Sequence, residues 1–229
     1  MIKHYKVGGA VRDSFLGKKS KDLDYVVIAP SYQDMVNWIS SQGEIFLEQP
    51  EYWTVRAHLK GKLPADYVLA RKDGQYTDGR RPDSVSVGTL MDDLSRRDFT
   101  MNAIAIDEDT QEIIDPFNGQ EDIKHGIIRC VGNPYDRFYE DALRLLRAIR
   151  FSITKGFIIS QSIQDCLRNS ALTNRLRDNV SDERKMEELY KCFACDTPKT
   201  LSVLEKYLSL SNAVFKSRKI WLMPTMKSV

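Results

Sequence analysis

The chain has 229 residues, 42% of them apolar and 29% charged, with a formal net charge of +2. This is the composition of a globular protein of one large or two small domains, whose core can stand without disulfide staples. No run approaches the ~18 apolar residues of a membrane span, and the start, MIKHYKVGGAV, shows no signal-peptide hydrophobic region, so a cytoplasmic protein with no membrane association is expected.

In chain order, an apolar, strand-like start leads into VGGAVRD at residues 7–13. Gly8 and Gly9 offer backbone without Cβ atoms, able to approach a polyphosphate and present N–H groups where a helix begins. Arg12 adds a fixed positive charge. The next segment, KDLDYVVIA at 21–29, reads as a strand. In it Asp22 and Asp24 would share a face, with carboxyls ~7 Å apart or less. Such a pair suits two Mg²⁺ ions ~4 Å apart, one activating an attacking hydroxyl and the other holding nucleotide phosphates. Singly, these motifs are most often a turn and a charged strand end. Close together and in this order, they predict a triphosphate cradle beside a two-metal centre.

A helix is expected over SYQDMVNWISSQG (31–43), then strands over EIFLEQ (44–49), WTVRAHL (53–59) and ADYVLAR (65–71), which together make a small α/β sheet domain. Residues 72–95, broken by Gly and Pro, read as a mobile functional loop. RRDFTMNAIAID (96–107) and a short strand pair around EIIDPFNG (112–119) come next. From Asn133 helical periodicity dominates, and the last twenty residues, with Trp221 and Pro224, read as a packed tail of low regularity. The four cysteines include one C-x-x-C, Cys192 and Cys195, with no second pair at zinc spacing, so free or buried thiols are expected, and the three histidines are scattered and suggest no metal cluster.

The helical pattern of EDALRLLRAIR (140–150) places Ala142, Leu145, Leu146 and Ile149 on one apolar face. Arg144 and Arg147 then lie opposite, with Asp141 and Arg150 at the edges of the polar side. A solvated helix face carrying an Asp141–Arg144 ion pair would account for this. The alternative is that the pair imitates the pairing edge of a base. A carboxylate accepting from an exocyclic amino group, beside a guanidinium donating to a ring nitrogen, matches cytosine and adenine and mismatches uracil and guanine. Arg147 and Arg150 would serve phosphates or an RNA strand. Charge is distributed accordingly: residues 1–139 carry 18 Lys and Arg against 22 Asp and Glu, whereas residues 140–229 carry 16 against 10.

Taken in order, VGGAVRD, DLDY, RRDFTMNAIA (96–105), DPFNGQEDI (115–123) and RFYEDALRLLRAIRF (137–151) resemble the class II tRNA nucleotidyltransferase and bacterial poly(A) polymerase family of the polymerase β superfamily, with an echo in VSDERKMEEL (180–189). The resemblance implies an α+β fold: a polymerase β-like catalytic head over residues 1–132, followed by an all-helical neck and short helical part over 133–229. It implies that Asp22 and Asp24 are catalytic and hold two Mg²⁺ ions, with Asp66 a further metal candidate. Gly8, Gly9 and Arg12 would bind the triphosphate, Arg97 and Asp98 would sense ribose and phosphate, and Asp141, Arg144, Arg147 and Arg150 would contact the nucleotide. The segment DPFNGQED looks like the family's hinge, and residues 72–95 correspond to its flexible loop. The expected activity is addition of CCA to tRNA 3′ ends from CTP and ATP. The same motifs also accommodate poly(A) addition, partial A or CC addition, or a non-catalytic RNA-binding module. Members of the family usually continue into further helical domains that grip tRNA. The chain is therefore expected to be a short form, compensated by a homodimer, a partner protein or a shorter RNA.

Overall fold

The computed structural model describes residues 2–20, 22–74 and 83–215. They pack as two compact units, residues 2–74 with 84–125 and residues 126–215.

The first unit runs β1 (Lys3–Val7), α1 (Gly8–Phe15), β2 (Asp24–Ile28), α2 (Tyr32–Gln42), β3 (Gly43–Gln49), β4 (Thr54–Leu59), β5 (Ala65–Leu69), β6 (Arg71–Asp73), β7 (Val85–Val87), α3 (Leu90–Ser95), β8 (Ala105–Asp107), β9 (Ile113–Ile114) and α4 (Gly119–His125). Seven strands form one mixed sheet in the order β3-β4-β5-β2-β1-β8-β9. Within it β2 and β5 are parallel and the other neighbours antiparallel. The period-two alternation of β4 and β5 puts Val55, Ala57, Leu59, Ala65, Tyr67 and Leu69 inside. With Tyr25 and Val27 they pack against Met35, Val36 and Ile39 of α2. Ser31 starts that helix, its hydroxyl accepting from Asp34 N at 3.1 Å. A second cluster on the sheet joins Tyr5, Val7, Val26 and Ala105 to Leu94 of α3. The parallel register sets Asp24 directly beside Asp66.

Several expectations are corrected. The strand of DLDYVVIA begins at Asp24, not Asp22, because β1 ends at Val7 opposite Asp24 and the chain there turns into α1, leaving Asp22 no strand partner on that side. Trp53 is not in a strand; it takes a left-handed φ of 54° just before β4. The stretch 72–95 is not one irregular loop. It contains the β6–β7 ladder, pairing Lys72 with Ser86, and α3, which a capping box between Thr89 and Asp92 initiates. Residues 75–82 lie outside the described residues.

The second unit comprises β10 (Ile127–Ile128), α5 (Pro134–Glu140), α6 (Leu143–Thr154), β11 (Ile158–Ile159), α7 (Gln161–Arg168), α8 (Ser170–Asn179), α9 (Asp182–Cys195), α10 (Thr197–Lys206) and α11 (Leu208–Phe215). β10 belongs to it through parallel pairing with β11. Leu145, Leu146, Ile149, Leu172, Leu176 and Leu189 are fully buried or nearly so. Of the last twenty residues, expected as a packed tail of low regularity, 210–215 are helical as part of α11; the remainder, with Trp221 and Pro224, lies outside the described residues. All four cysteines are free. Among the described residues no helix is long and apolar enough to cross a membrane.

Gly119 opens α4 against the Thr100–Asn102 turn, where an added Cβ would stand 2.3 Å from Thr100 O and 2.8 Å from Ile104 Cγ1. Gly119→Ala should destabilise the protein by ~1–3 kcal/mol, the usual cost of overpacking. The measurement is the urea unfolding midpoint, and an unchanged midpoint would mean that the turn yields freely.

Candidate active site

The candidate site residues form two sets, one in each unit. In the first unit, α1 begins at Gly8 with φ +72°, a conformation that an L side chain adopts only with strain. A Cβ there would also stand 3.2 Å from Arg97 Nη1 and 3.6 Å from Asp24 Oδ2. Bare backbone, a carboxylate and a guanidinium therefore converge at the helix start, and Gly9 follows one residue into α1.

Arg12 is only 6% exposed. Its Nη1 donates to Asn102 Oδ1 at 2.7 Å and its Nε to Asp13 Oδ1 at 2.9 Å. Asn102 Nδ2 in turn donates to Asp98 Oδ1 at 2.9 Å, and Arg97 Nη1 donates to the Asn102 carbonyl at 3.3 Å. One asparagine thus ties together all three sequence-predicted residues Arg12, Arg97 and Asp98. Behind them, Arg97 Nε and Nη2 donate to Asp93 Oδ2 at 3.0 and 2.8 Å, and Arg96 donates to Asp93 Oδ1. Asp93 is fully buried. Burial alone would raise its pKa, but the Arg97 and Arg96 guanidiniums outweigh burial and hold the carboxyl below the usual carboxylate range.

Asp24 has the opposite balance. Burial pushes its carboxyl up, Arg97 pulls it back, and Asp66 and Asp22 push it up again, so the net shift is upward. Asp66 is partly held by Arg56 at 3.6 Å, and Asp22 lies exposed ahead of β2 with its N–H on Ser20 Oγ. Among the described residues no group of three or more His, Cys, Asp or Glu is arranged to hold a metal by protein ligands alone. The residues nevertheless fit Mg²⁺, which binds through one or two carboxylates while keeping waters and substrate phosphates. The raised Asp24 carboxyl is where negative charge lacks full compensation, and a cation would supply it.

In the second unit the segment 140–150 differs from its helical reading. α5 ends at Glu140, Asp141 is extended (φ −140°, ψ 101°), and α6 starts at Leu143. Asp141 and Arg144 are therefore not on one helix face. Asp141 Oδ1 accepts from Leu143 N at 3.1 Å and its carbonyl accepts from Arg144 N, so the residue ends one helix and starts the next. Its other carboxylate oxygen accepts from Arg184 Nη2 at 3.0 Å. Arg144 is 9% exposed and donates through Nη1 to Arg137 O at 2.9 Å and Glu140 Oε2 at 3.1 Å. Arg147 and Arg150 both face Glu188 of α9, Arg147 at 3.8 Å and Arg150 in close contact. Sequence reasoning missed Asp93, Asn102, Glu140, Arg184 and Glu188. Arg184 and Glu188 lie in the VSDERKMEEL echo and Asn102 in RRDFTMNAIA, so the motifs contained them while no spacing revealed their partners.

A mixed sheet that sets a Gly-Gly helix start against acidic strand ends, followed by a helical unit, is the architecture of a polymerase β-like nucleotidyltransferase head with its helical continuation. The chain belongs to the poly A polymerase head domain family, whose sequence profile matches residues 4–129. A CCA-adding enzyme of Levilactobacillus brevis is 38% identical over 195 residues, covering 85% of this chain and 47% of that protein. The crystal structure of the Bacillus stearothermophilus CCA-adding enzyme in complex with CTP matches with a TM-score of 0.76 at 33% identity, over 96% of this chain and 52% of that one. A tRNA nucleotidyltransferase complexed with a primer tRNA and an incoming ATP analog matches with a TM-score of 0.76 at 30% identity, over 94% and 60%. The chain spans about half the length of the curated relatives it matches.

The two carboxylates, Asp93 fully buried and Asp24 partly buried, predict opposite pH behaviour. The lowered pKa of Asp93 means its contribution is fully present above the unfolded carboxylate value and is lost as pH falls through the folded one. Asp93→Ala strands two guanidiniums and should cost ~3–5 kcal/mol at neutral pH. The raised pKa of Asp24 means its ionisation destabilises the fold as pH rises above the unfolded value. In EDTA, Asp24→Asn should therefore raise Tm at pH 7 and leave it unchanged near pH 3, and Mg²⁺ should raise the Tm of the wild type only. Thermal melts across pH check both, and a lower Tm for Asp24→Asn at pH 7 would refute the assigned balance.

Proposed function

We propose that this chain is the catalytic and nucleotide-selecting part of an RNA nucleotidyltransferase that adds CCA to tRNA 3′ ends from CTP and ATP. The observation that carries the reading is the Asp24 carboxyl, held high in pKa beside Asp66 and Asp22 and next to the Gly8 backbone and Arg97. That is a site built to take up positive charge and phosphate together. Similarity to CCA-adding enzymes, including one solved with CTP, supports the choice of reaction.

In this reading the N–H groups at Gly8 and Gly9 and the Arg12 guanidinium hold the triphosphate, and Arg97 and Asp98 contact phosphate and ribose. The RNA's terminal 3′-hydroxyl attacks the α-phosphate; the new O–P bond forms as the α–β bridge breaks and pyrophosphate leaves. No side-chain nucleophile is required. Mg²⁺ held by Asp22 and Asp24, with Asp66 as a further carboxylate, would lower the pKa of that hydroxyl and stabilise the leaving pyrophosphate.

Asp141 and Arg144 select the base. The bonds of Asp141 to Arg184 and of Arg144 to Glu140 restrict both side chains before the nucleotide arrives, which lowers the ordering cost of recognition. A carboxylate and a guanidinium so restrained match the amino group and ring nitrogen of C and A. Uracil or guanine would leave desolvated groups unmatched, at ~1–3 kcal/mol each.

The test is single-nucleotide-resolution extension of tRNA ending before its CCA, with CTP, ATP, both or neither. Extension that needs both nucleotides, stops after CCA and vanishes in EDTA or in Asp24→Ala is expected. A long A-only ladder would mean a poly(A) polymerase, a stop after one nucleotide type a partial adding enzyme, and no product either a missing partner or a binding module. Arg144→Ala should keep residual catalysis while narrowing the preference for CTP over UTP by ~10-fold or more, and an unchanged preference would refute base selection by this residue.

A further inference from the structure

The face of α5 that precedes Asp141 carries Tyr135 and Tyr139, one helical turn apart and 41% and 43% exposed. Their rings stack with centroids 6.2 Å apart and planes at 21°. Arg175 of α8 lies against the second ring, its guanidinium carbon 3.8 Å from the Tyr139 centroid, and its Nε donates to the Tyr139 carbonyl at 3.0 Å. Among the described residues no carboxylate pairs with Arg175, and its Nη2 has no hydrogen-bond partner. This sets it apart from Arg144, Arg147, Arg150 and Arg184, each of which has a Glu or Asp counter-charge.

We propose that Tyr135, Tyr139 and Arg175 form a stacking platform for an unpaired base of the RNA strand being extended, with the Arg175 charge serving the adjacent phosphate.

Two large rings kept at the surface contribute little to the core, yet their mutual stacking and the guanidinium on Tyr139 fix their orientation. A ring so held offers a π-face to any base, which is how proteins bind single strands without reading sequence. The uncompensated guanidinium selects the partner. It would oppose burial under an apolar protein surface, whereas a nucleotide brings both a flat ring and an anion. The described residues 126–215 carry 14 Lys and Arg against 11 Asp and Glu, a net positive balance that agrees with a polyanion here. The residues lie within the same helical unit as Asp141, and Tyr139 is two positions before it. The platform rests on the RNA-acting reading above and adds to it a binding site for the strand, separate from the nucleotide-selecting pair.

The experiment titrates a fluorescent single-stranded RNA ending in CC against the protein in EDTA, without nucleotide and at fixed salt. Tyr135→Ala and Tyr139→Ala should each weaken binding about tenfold, the usual effect of losing one base–aromatic stack, while Tyr139→Phe binds as the wild type does. Arg175→Gln should weaken binding and flatten its salt dependence by about one phosphate contact, ~0.7 in the log–log slope for a single strand. Thermal melts of the two alanine variants should stay close to the wild type, since the rings are largely exposed; Arg175→Gln also loses the bond to the Tyr139 carbonyl and is read through its salt slope. In extension assays the loss should fall on the KM for RNA and leave the KM for CTP unchanged. Unaltered RNA affinity in both alanine variants, or a wild type that does not bind this RNA, overturns the platform. So does a loss confined to self-association, which would assign the rings to a contact between copies. A wild type that binds RNA through these residues but extends nothing would leave the platform standing and remove the catalytic reading; extension with unaltered RNA affinity in the variants would do the reverse.

Discussion

The candidate site in the first unit depends on how the charge of Asp93 is neutralised. A carboxylate with no exposure needs full compensation, and it receives this from Arg96 and Arg97 together. Holding Arg97 in that pair fixes the remaining geometry. Its Nη1 reaches the Asn102 carbonyl, the Asn102 amide joins Arg12 to Asp98, and the chain passes close to Arg97 at Gly8, whose φ of +72° favours glycine. Residues from α1, α3 and the turn after it are thereby held in place by the fold itself, which would spare the cost of ordering them around a ligand.

Asp24 is the counterpart. It lies near the same Arg97, yet burial and two neighbouring carboxylates outweigh the attraction. One arginine thus serves a carboxylate that is satisfied within the fold and adjoins another that is not. The difference arises from partners: Asp93 has two guanidiniums in hydrogen-bond contact, whereas Asp24 shares its surroundings with Asp66, its direct neighbour across the parallel β2–β5 pair. Charge left incompletely balanced inside a well-packed domain is characteristic of sites that bind ions or anionic ligands.

The second unit uses ion pairs differently. Glu140 and Glu188 together hold Arg137, Arg144, Arg147 and Arg150, and Arg184 holds Asp141. A helical wheel through residues 140–150 gets the apolar side right, since Leu145, Leu146 and Ile149 are buried. It misplaces the polar side because it assumes an unbroken helix. The Asp141 carboxylate offers the backbone N–H of Leu143 an alternative partner, and such local bonds are the usual reason Asp interrupts helices. Sequence reasoning missed α3, which Thr89 and Asp92 initiate, because a stretch broken by Gly and Pro masks so short an element.

Sequence alone determined the run of elements from β1 to β5, the helical character of the second unit, and the candidate residues: Asp22, Asp24, Gly8, Gly9, Arg12, Arg97, Asp98, Asp141 and Arg144 all belong to compact motifs. These are local properties, set by periodicity, glycine's missing Cβ and spacing of a few residues. Only tertiary structure decided which charges are answered. Asp24 meets Asp66 through strand register, Arg12 meets Asn102 across 90 residues, and Arg150 meets Glu188 across 38. No local pattern encodes those meetings, because a side chain's pKa and orientation depend on what the folded chain brings within a few ångströms of it.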